Sequence, residues 1–225
     1  VPQGCDIKEL EKLLSEAGLI NSDEFYAALA NPSDYNYSFL EQLPKRDNTL
    51  EGYLYPATYE IPQGMSSHDI IDLMLGTLDA KLSAQDYEMA QNLGMTMDQV
   101  ITFASLVERD TTEGSDLNRT AAVYINRARC SMPLESKGSI QFILGDRKPV
   151  LSIADTKIQS PYNTFLNVGL PIGPICNPGV DAINAVLNYV GTDDYYYALA
   201  NDGEQIFASD YDTFKSAISG KELLV

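Results

Sequence analysis

A chain of 225 residues with 44% hydrophobic side chains has enough apolar material for one large domain, or for a small and a medium one. Its formal net charge of −17, with no cluster of Lys or Arg, argues against nucleic acid or anionic lipid as a partner. No apolar run approaches the ~20 residues of a membrane span, and no signal peptide is legible.

The pattern is already under way at Val1, as it would be if an N-terminal anchor preceded it. After the opening VPQG, apolar residues Ile7, Leu10, Leu13 and Leu14 predict an amphipathic helix from about Asp6 to Glu16, stopped near Gly18. Ser22 is expected to cap a second short helix that ends before Asn31-Pro32. Residues 32–50 are polar and irregular. The stretch LEGYLYPATYEIPQG (50–64) sets Tyr53, Tyr55 and Tyr59 among aliphatics, and Pro56 argues against one continuous central strand. Its IPQG ending, followed by SSHDIIDLML, echoes the opening VPQG and its helix. Both copies read as strand, turn and helix. Helices follow at about Ser67 to Leu82 and Ala84 to Leu93, with Gly94 as a stop.

The stretch from Thr96 to Arg127 reads as two helices joined by a polar turn. Thr96 and Gln99 form a capping box, and Val100 to Val107 is apolar or small throughout, so core surrounds this helix. Met97, Ile101, Ala104 and Glu108 fall on one line of it. A carboxylate that continues an apolar stripe is open to desolvation and a raised pKa, which suits a proton donor. A glutamate in a last turn that reaches out to water is, on pattern alone, the commoner case.

MPLESKGSIQFILGD and LSIADTKIQSPYNTFLNVGLPIGPICNPG come next. The second crowds Gly169, Pro171, Gly173, Pro174, Pro178 and Gly179 together, which excludes regular structure and suits a cleft-lining loop. Asp181 to Tyr189 is predicted helical. Tyr195 to Ala200 and Gln205 to Ala208 flank Asn201-Asp202-Gly203-Glu204 as a hairpin, and a last helix runs from Asp210 to Ser219. Helices dominate without a βαβ rhythm, so the fold class is α+β, a helix-rich domain with a small hairpin.

Cys5, Cys130 and Cys176 make neither a metal spacing nor a disulfide framework, and His68 is the lone histidine. Histidine-based zinc sites and Ser-His-Asp triads are disfavoured, no cofactor is expected, and chemistry must run on carboxylates, tyrosines, amides and backbone. A hydrolysing glycosidase needs a second carboxylate, for which Asp110, Glu113 and Glu135 are the candidates. None has a distinguishing context, and Asp110 points to another side of the helix from Glu108.

LEGYLYPATYE, ASLVERD, AAVYINRARCSMPLES, PYNTFLNVGLPIGPICNPG and DYYYALANDGEQIFA occur in this order, and in this they resemble the YceG-like endolytic murein transglycosylases, the MltG family. The resemblance covers residues from about 50 to 215. It implies a catalytic domain over 50–225, preceded by the end of a LysM-like module and a linker over 1–49. It further implies lytic cleavage of the MurNAc-GlcNAc bond to 1,6-anhydro ends, with Glu108 of the ASLVE motif as the single acid/base. Glu51, Tyr55 and Tyr59 would build or line the glycan groove, and Asn126, Tyr162, Asn163 and Asn177 would line the site or hold it in shape. Peptidoglycan strands are the implied substrate and peptidoglycan synthases the implied partners. The implied location is the outer face of the cell membrane, reached through an N-terminal anchor. A non-catalytic wall-binding protein of the same fold is the alternative. Two departures stand out: Lys137 where the family has an acidic residue, and Gln205 where it often has histidine. Glu108 is expected at least half buried on a groove floor, near Asn126 or the Tyr162-Asn163 loop.

Overall fold

Most helices of this chain begin where a small polar side chain can take up the free N–H groups of a first turn. The computed structural model describes residues 1–41, 43–47 and 49–224. Asp6 caps α1 (Ile7–Glu16) and Asn21 caps α2 (Ser22–Leu29). Ser66 caps α3 (Ser67–Asp79) and Ser83 caps α4 (Ala84–Asn92). Thr96, with Gln99 closing the box, caps α5 (Met97–Asp110), and Asp116 caps α6 (Leu117–Arg129). Each such cap is worth ~1 kcal/mol. The cap of α2 is Asn21, whose amide oxygen reaches two N–H groups, and Ser22 is the first helical residue.

Helix α5 is the axis of the molecule. Every side chain from Val100 to Val107 is buried, and α4, α6, α7 (Lys137–Leu144) and α8 (Val180–Leu187) pack around it. Its two hydroxyls inside the core are satisfied locally, Thr102 donating to Asp98 O and Ser105 to Thr102 O. Ser105 Oγ in turn accepts the N–H of Ile175 at 3.0 Å, which ties the glycine- and proline-rich segment to the axis. One hydrophobic cluster takes in Ile7, Leu10 and Phe25 together with Leu54, Met74, Ile101, Leu106 and Ile183. Residues before and after position 50 therefore share a core.

β1 (Tyr196–Leu199) and β2 (Gln205–Ala208) pair antiparallel with Tyr196 opposite Ala208 and Leu199 opposite Gln205. The turn between them uses Gly203 at φ +86°. α9 (Tyr211–Ala217) covers this hairpin. The fold is α+β, as expected.

The strands expected ahead of the two PQG turns do not form; among the described residues, the β1–β2 pair is the only named sheet. Pro2 and Pro56 have no N–H to give a ladder. In the second of these segments a side chain takes a backbone group instead, with Leu54 N–H donating to Asn177 Oδ1. The turns themselves are present, with Gly4 at φ +74° and Gly64 at φ +85°. Helix α7, unforeseen because Lys137 and Gly138 interrupt the apolar pattern, starts at a Ser136 cap and stops at Gly145 in the left-handed region. No described helix is long and apolar enough to cross a membrane.

Candidate active site

Glu108 lies in the last turn of α5, on the face that meets the start of α8. It is half-buried, and its Oε2 accepts the N–H of Gly179 at 3.0 Å. Gly179 is the residue before α8 and offers no side-chain cap, so the carboxylate performs that service from another helix. The phenol of Tyr55, itself buried, stands at the adjoining N–H of Val180. Burial pushes the Glu108 carboxyl above the ordinary range; the Gly179 N–H opposes this, and Asp181 adds to it. A carboxyl so placed holds a proton at higher pH than a surface glutamate and keeps a second oxygen with no protein partner among the described residues.

Asn177 joins this neighbourhood to the N-terminal turn and to the segment that carries Tyr55. Its side chain is fully buried, accepts from Leu54 N–H at 2.9 Å and donates to Cys5 O at 2.8 Å. Tyr59 donates to Tyr55 O at 2.5 Å, which fixes the segment that carries Tyr55. Glu51 is sealed in the interior at 1% exposed, where its Oε2 accepts Ile7 N–H and its Oε1 has no partner. Burial raises it to about 8. It reaches no groove in this structure and holds the start of α1.

The expected proximity of Glu108 to Asn126 is corrected by the hairpin geometry. Gln99 and Phe103, near the start of α5, share a surface hollow with Ile125 and Arg129, near the end of α6, so the two helices run antiparallel. Asn126 is thus carried ~14 Å along α6 from its start, at ~1.5 Å per residue. It donates to Thr192 O and Asp194 O and accepts from Tyr189, buttressing the approach to β1. Asn163 is internal to its own loop, donating to Thr156 O and Ile158 O and accepting from Phe165 N–H. Tyr162 rests on Phe142 with its hydroxyl buried and unpartnered.

A second carboxyl of α5 has a different setting. Asp110 is 1% exposed, with Oδ2 accepting from Tyr124 at 2.5 Å and Oδ1 from Gly138 N–H at 2.8 Å. Burial raises its pKa, while the hydrogen bonds pull the other way. Tyr124, Tyr197 and Lys137, which surround it, also line a cavity of ≈ 320 Å³ together with Val150, Leu223 and Leu224. Lys137 gives its ammonium to the carbonyls of Pro149 and Leu224. Gln205 bonds the N–H of Asp116 and the hydroxyl of Thr120. Among the described residues, no three His, Cys, Asp or Glu side chains are grouped to hold a metal ion.

Sequence reasoning missed Gly179, Asp181 and the Gln3-Gly4 turn as neighbours of Glu108. The repeated PQG was the available signal for the turn. The Gly179 contact joins residues far apart in the chain and left no local trace.

The sequence profile of the YceG-like family matches residues 1–220. An endolytic murein transglycosylase of Streptococcus pneumoniae is 36% identical over 183 residues, 77% of this chain and 33% of that protein. One from Bacillus subtilis is 35% identical over 174 residues, again 77% of this chain and 47% of that protein. The chain thus spans a third to a half of the length of these relatives. A crystal structure of a yceG-like protein from Listeria monocytogenes has the same fold, with a TM-score of 0.82 over 96% of this chain and 74% of that one at 24% identity.

Proposed function

The chain belongs to the YceG-like family, and from that premise we propose that it cleaves peptidoglycan strands as an endolytic lytic transglycosylase. The observation that carries the reading is Glu108: a half-buried carboxyl, raised in pKa, with one oxygen fixed by Gly179 and the other without a hydrogen-bond partner among the described residues. In the proposed reaction protonated Glu108 donates to the bridging oxygen as the MurNAc C1–O bond breaks. The resulting carboxylate takes the proton of the muramoyl 6-hydroxyl as that oxygen bonds to C1. Atoms balance without water, and the product ends in 1,6-anhydro-MurNAc. Because the nucleophile belongs to the reacting sugar, its proximity costs the protein little.

Tyr55 and Tyr59 are assigned to the wall beside Glu108, and Asn177 and Glu51 to holding that wall in place. Asn126, Tyr162 and Asn163 are assigned to shaping the surrounding loops. On the same reading residues 1–49 are the end of a LysM-like module, an anchor precedes them, and the protein works at the outer face of the membrane beside peptidoglycan synthases.

Asp110 is the second reading for the acid. It is supported by its raised pKa and by its place beside the ≈ 320 Å³ cavity. Digestion of purified peptidoglycan by the wild type, Glu108→Gln and Asp110→Asn, with mass spectrometry of the products, separates the readings. Anhydro ends lost only in Glu108→Gln support the first, and their loss only in Asp110→Asn moves the acid to Asp110. Reducing ends would mean hydrolysis. Retention on peptidoglycan with no product would mean a wall-binding protein.

A further inference from the structure

The start of the chain, remote in sequence from α5, completes the surroundings of Glu108. Gly4 is buried in the Pro2-Gln3-Gly4 turn and held on three sides. Its N–H donates to Asn177 O at 3.0 Å, and its carbonyl accepts from Arg147 at 2.7 Å and Arg109 at 3.4 Å. A Cβ on Gly4 would lie 3.5 Å from Cγ of Glu108. The next side chain, Gln3, is exposed, and its amide rests on Gly179: a Cβ there would come within 2.5 Å of Nε2 and 2.6 Å of Cδ. Gly179 has an ordinary φ of −76°, so what it supplies is closeness rather than an unusual backbone. The same Gly179 gives its N–H to Glu108.

A primary amide and a half-buried carboxyl thus flank one residue. The amide can donate twice and accept twice, and among the described residues it makes no hydrogen bond to the protein. A long surface glutamine ordinarily has many rotamers to lose on meeting a ligand. This one starts from a pinned backbone and packs on Gly179, so less is lost.

We propose that Gln3 is a substrate-orienting residue of the Glu108 site, hydrogen-bonding the acetamido or hydroxyl groups of a glycan bound there. The site is then built from segments far apart in the chain and is incomplete without the N-terminal turn. The proposal rests on the reading of this chain as a glycan-cleaving enzyme with Glu108 as its acid.

The test compares wild type, Gln3→Ala and Gln3→Glu. Release of anhydro-muropeptides is followed across pH, and Glu108 is titrated by carbon NMR of the labelled carboxyl. The other titratable groups that face Glu108 are Asp181, the Tyr55 hydroxyl and the Cys176 thiol, all unchanged in these variants. Gln3→Ala should keep the wild-type melting temperature and lose about tenfold in kcat/KM, the loss of one or two hydrogen bonds to substrate. Gln3→Glu sets a second carboxylate across Gly179, so the Glu108 titration and the alkaline limb of the rate profile should both move up. Unchanged kcat/KM in Gln3→Ala, or an unmoved Glu108 titration in Gln3→Glu, overturns the proposal. Should the wild type make no product, the enzyme reading fails by itself. Binding of a β-1,4-linked N-acetylglucosamine tetramer then decides for Gln3: perturbation of its side-chain amide signals, lost in Gln3→Ala, supports it, and silence overturns it.

Discussion

Glu108 caps α8 through Gly179, with Oε2 3.0 Å from the Gly179 N–H, although the two residues belong to different helices' ends. One carboxyl therefore has two claims on it, a structural one at the helix start and a chemical one through its raised pKa. The two separate by substitution. Glu108→Gln keeps an acceptor for Gly179 and removes the proton, so stability should hold to within about 0.5 kcal/mol while glycan cleavage falls by at least ~100-fold. Glu108→Ala should lose the cap as well, about 1 kcal/mol. Equal melting temperatures for Gln and Ala would deny the cap, and an active Gln variant would deny the acid.

Asp110 should answer in the opposite sense. Alanine there strands the Gly138 N–H and the Tyr124 hydroxyl inside the protein, at about 1–3 kcal/mol each. Asparagine still offers an oxygen to Gly138 and an N–H to Tyr124. Chemical denaturation should place Asp110→Ala well below Asp110→Asn, and Asp110→Asn should retain activity if Glu108 is the acid. A destabilised but active Asp110→Ala would assign this carboxyl to structure alone.

What could be read from residues alone was local. The capping box of Thr96 and Gln99, the hairpin at Gly203 and the buried stripe ending at Glu108 are each written within a few positions, and each is present. What failed depended on partners. The strands before the PQG turns do not form, and at Leu54 an asparagine side chain took the backbone N–H. The neighbours of Glu108 come from residues 4, 55 and 179, which no periodicity connects. An asparagine in a helix, as Asn126 is, usually faces water, yet this one is buried with its amide donating to the carbonyls of Thr192 and Asp194.

Glu51 should make stability depend on pH. Its carboxyl is raised by burial from 4.5 to about 8, so between those values the folded protein binds a proton that the unfolded chain releases. Stability contributed by the protonated form is complete below about pH 4.5 and is lost as pH rises toward 8, with a slope of up to ~1.4 kcal/mol per unit. Glu51→Gln, nearly isosteric with the neutral acid, removes this dependence. Its melting temperature should match wild type near pH 5 and exceed it increasingly toward pH 8. Parallel curves across that range would show that Glu51 is not titrating there.

Asn177 offers the sharpest test of how the N-terminal turn is held to the rest. Its amide serves Leu54 N–H and Cys5 O at once, at 2.9 and 2.8 Å, in a fully buried position. Asn177→Ala leaves the Leu54 N–H without its partner and strips Cys5 O of its side-chain donor, leaving that carbonyl only the Asn177 backbone N–H, which should cost about 1–3 kcal/mol. Asn177→Asp keeps the acceptor for Leu54 but faces Cys5 O with no donor unless protonated, so it should recover toward wild type as pH falls. The loss should reach the site as well. The backbone carbonyl of Asn177, which accepts the Gly4 N–H, is kept in Asn177→Ala but loses the side-chain clamp that fixes its segment, so cleavage should drop even well below the melting temperature. Denaturant melts paired with activity at low temperature check both halves. An alanine variant with an unchanged midpoint would mean that the backbone bonds to residue 177 and the arginine contacts suffice to hold the turn, and the clamp assigned to the Asn177 side chain would be withdrawn.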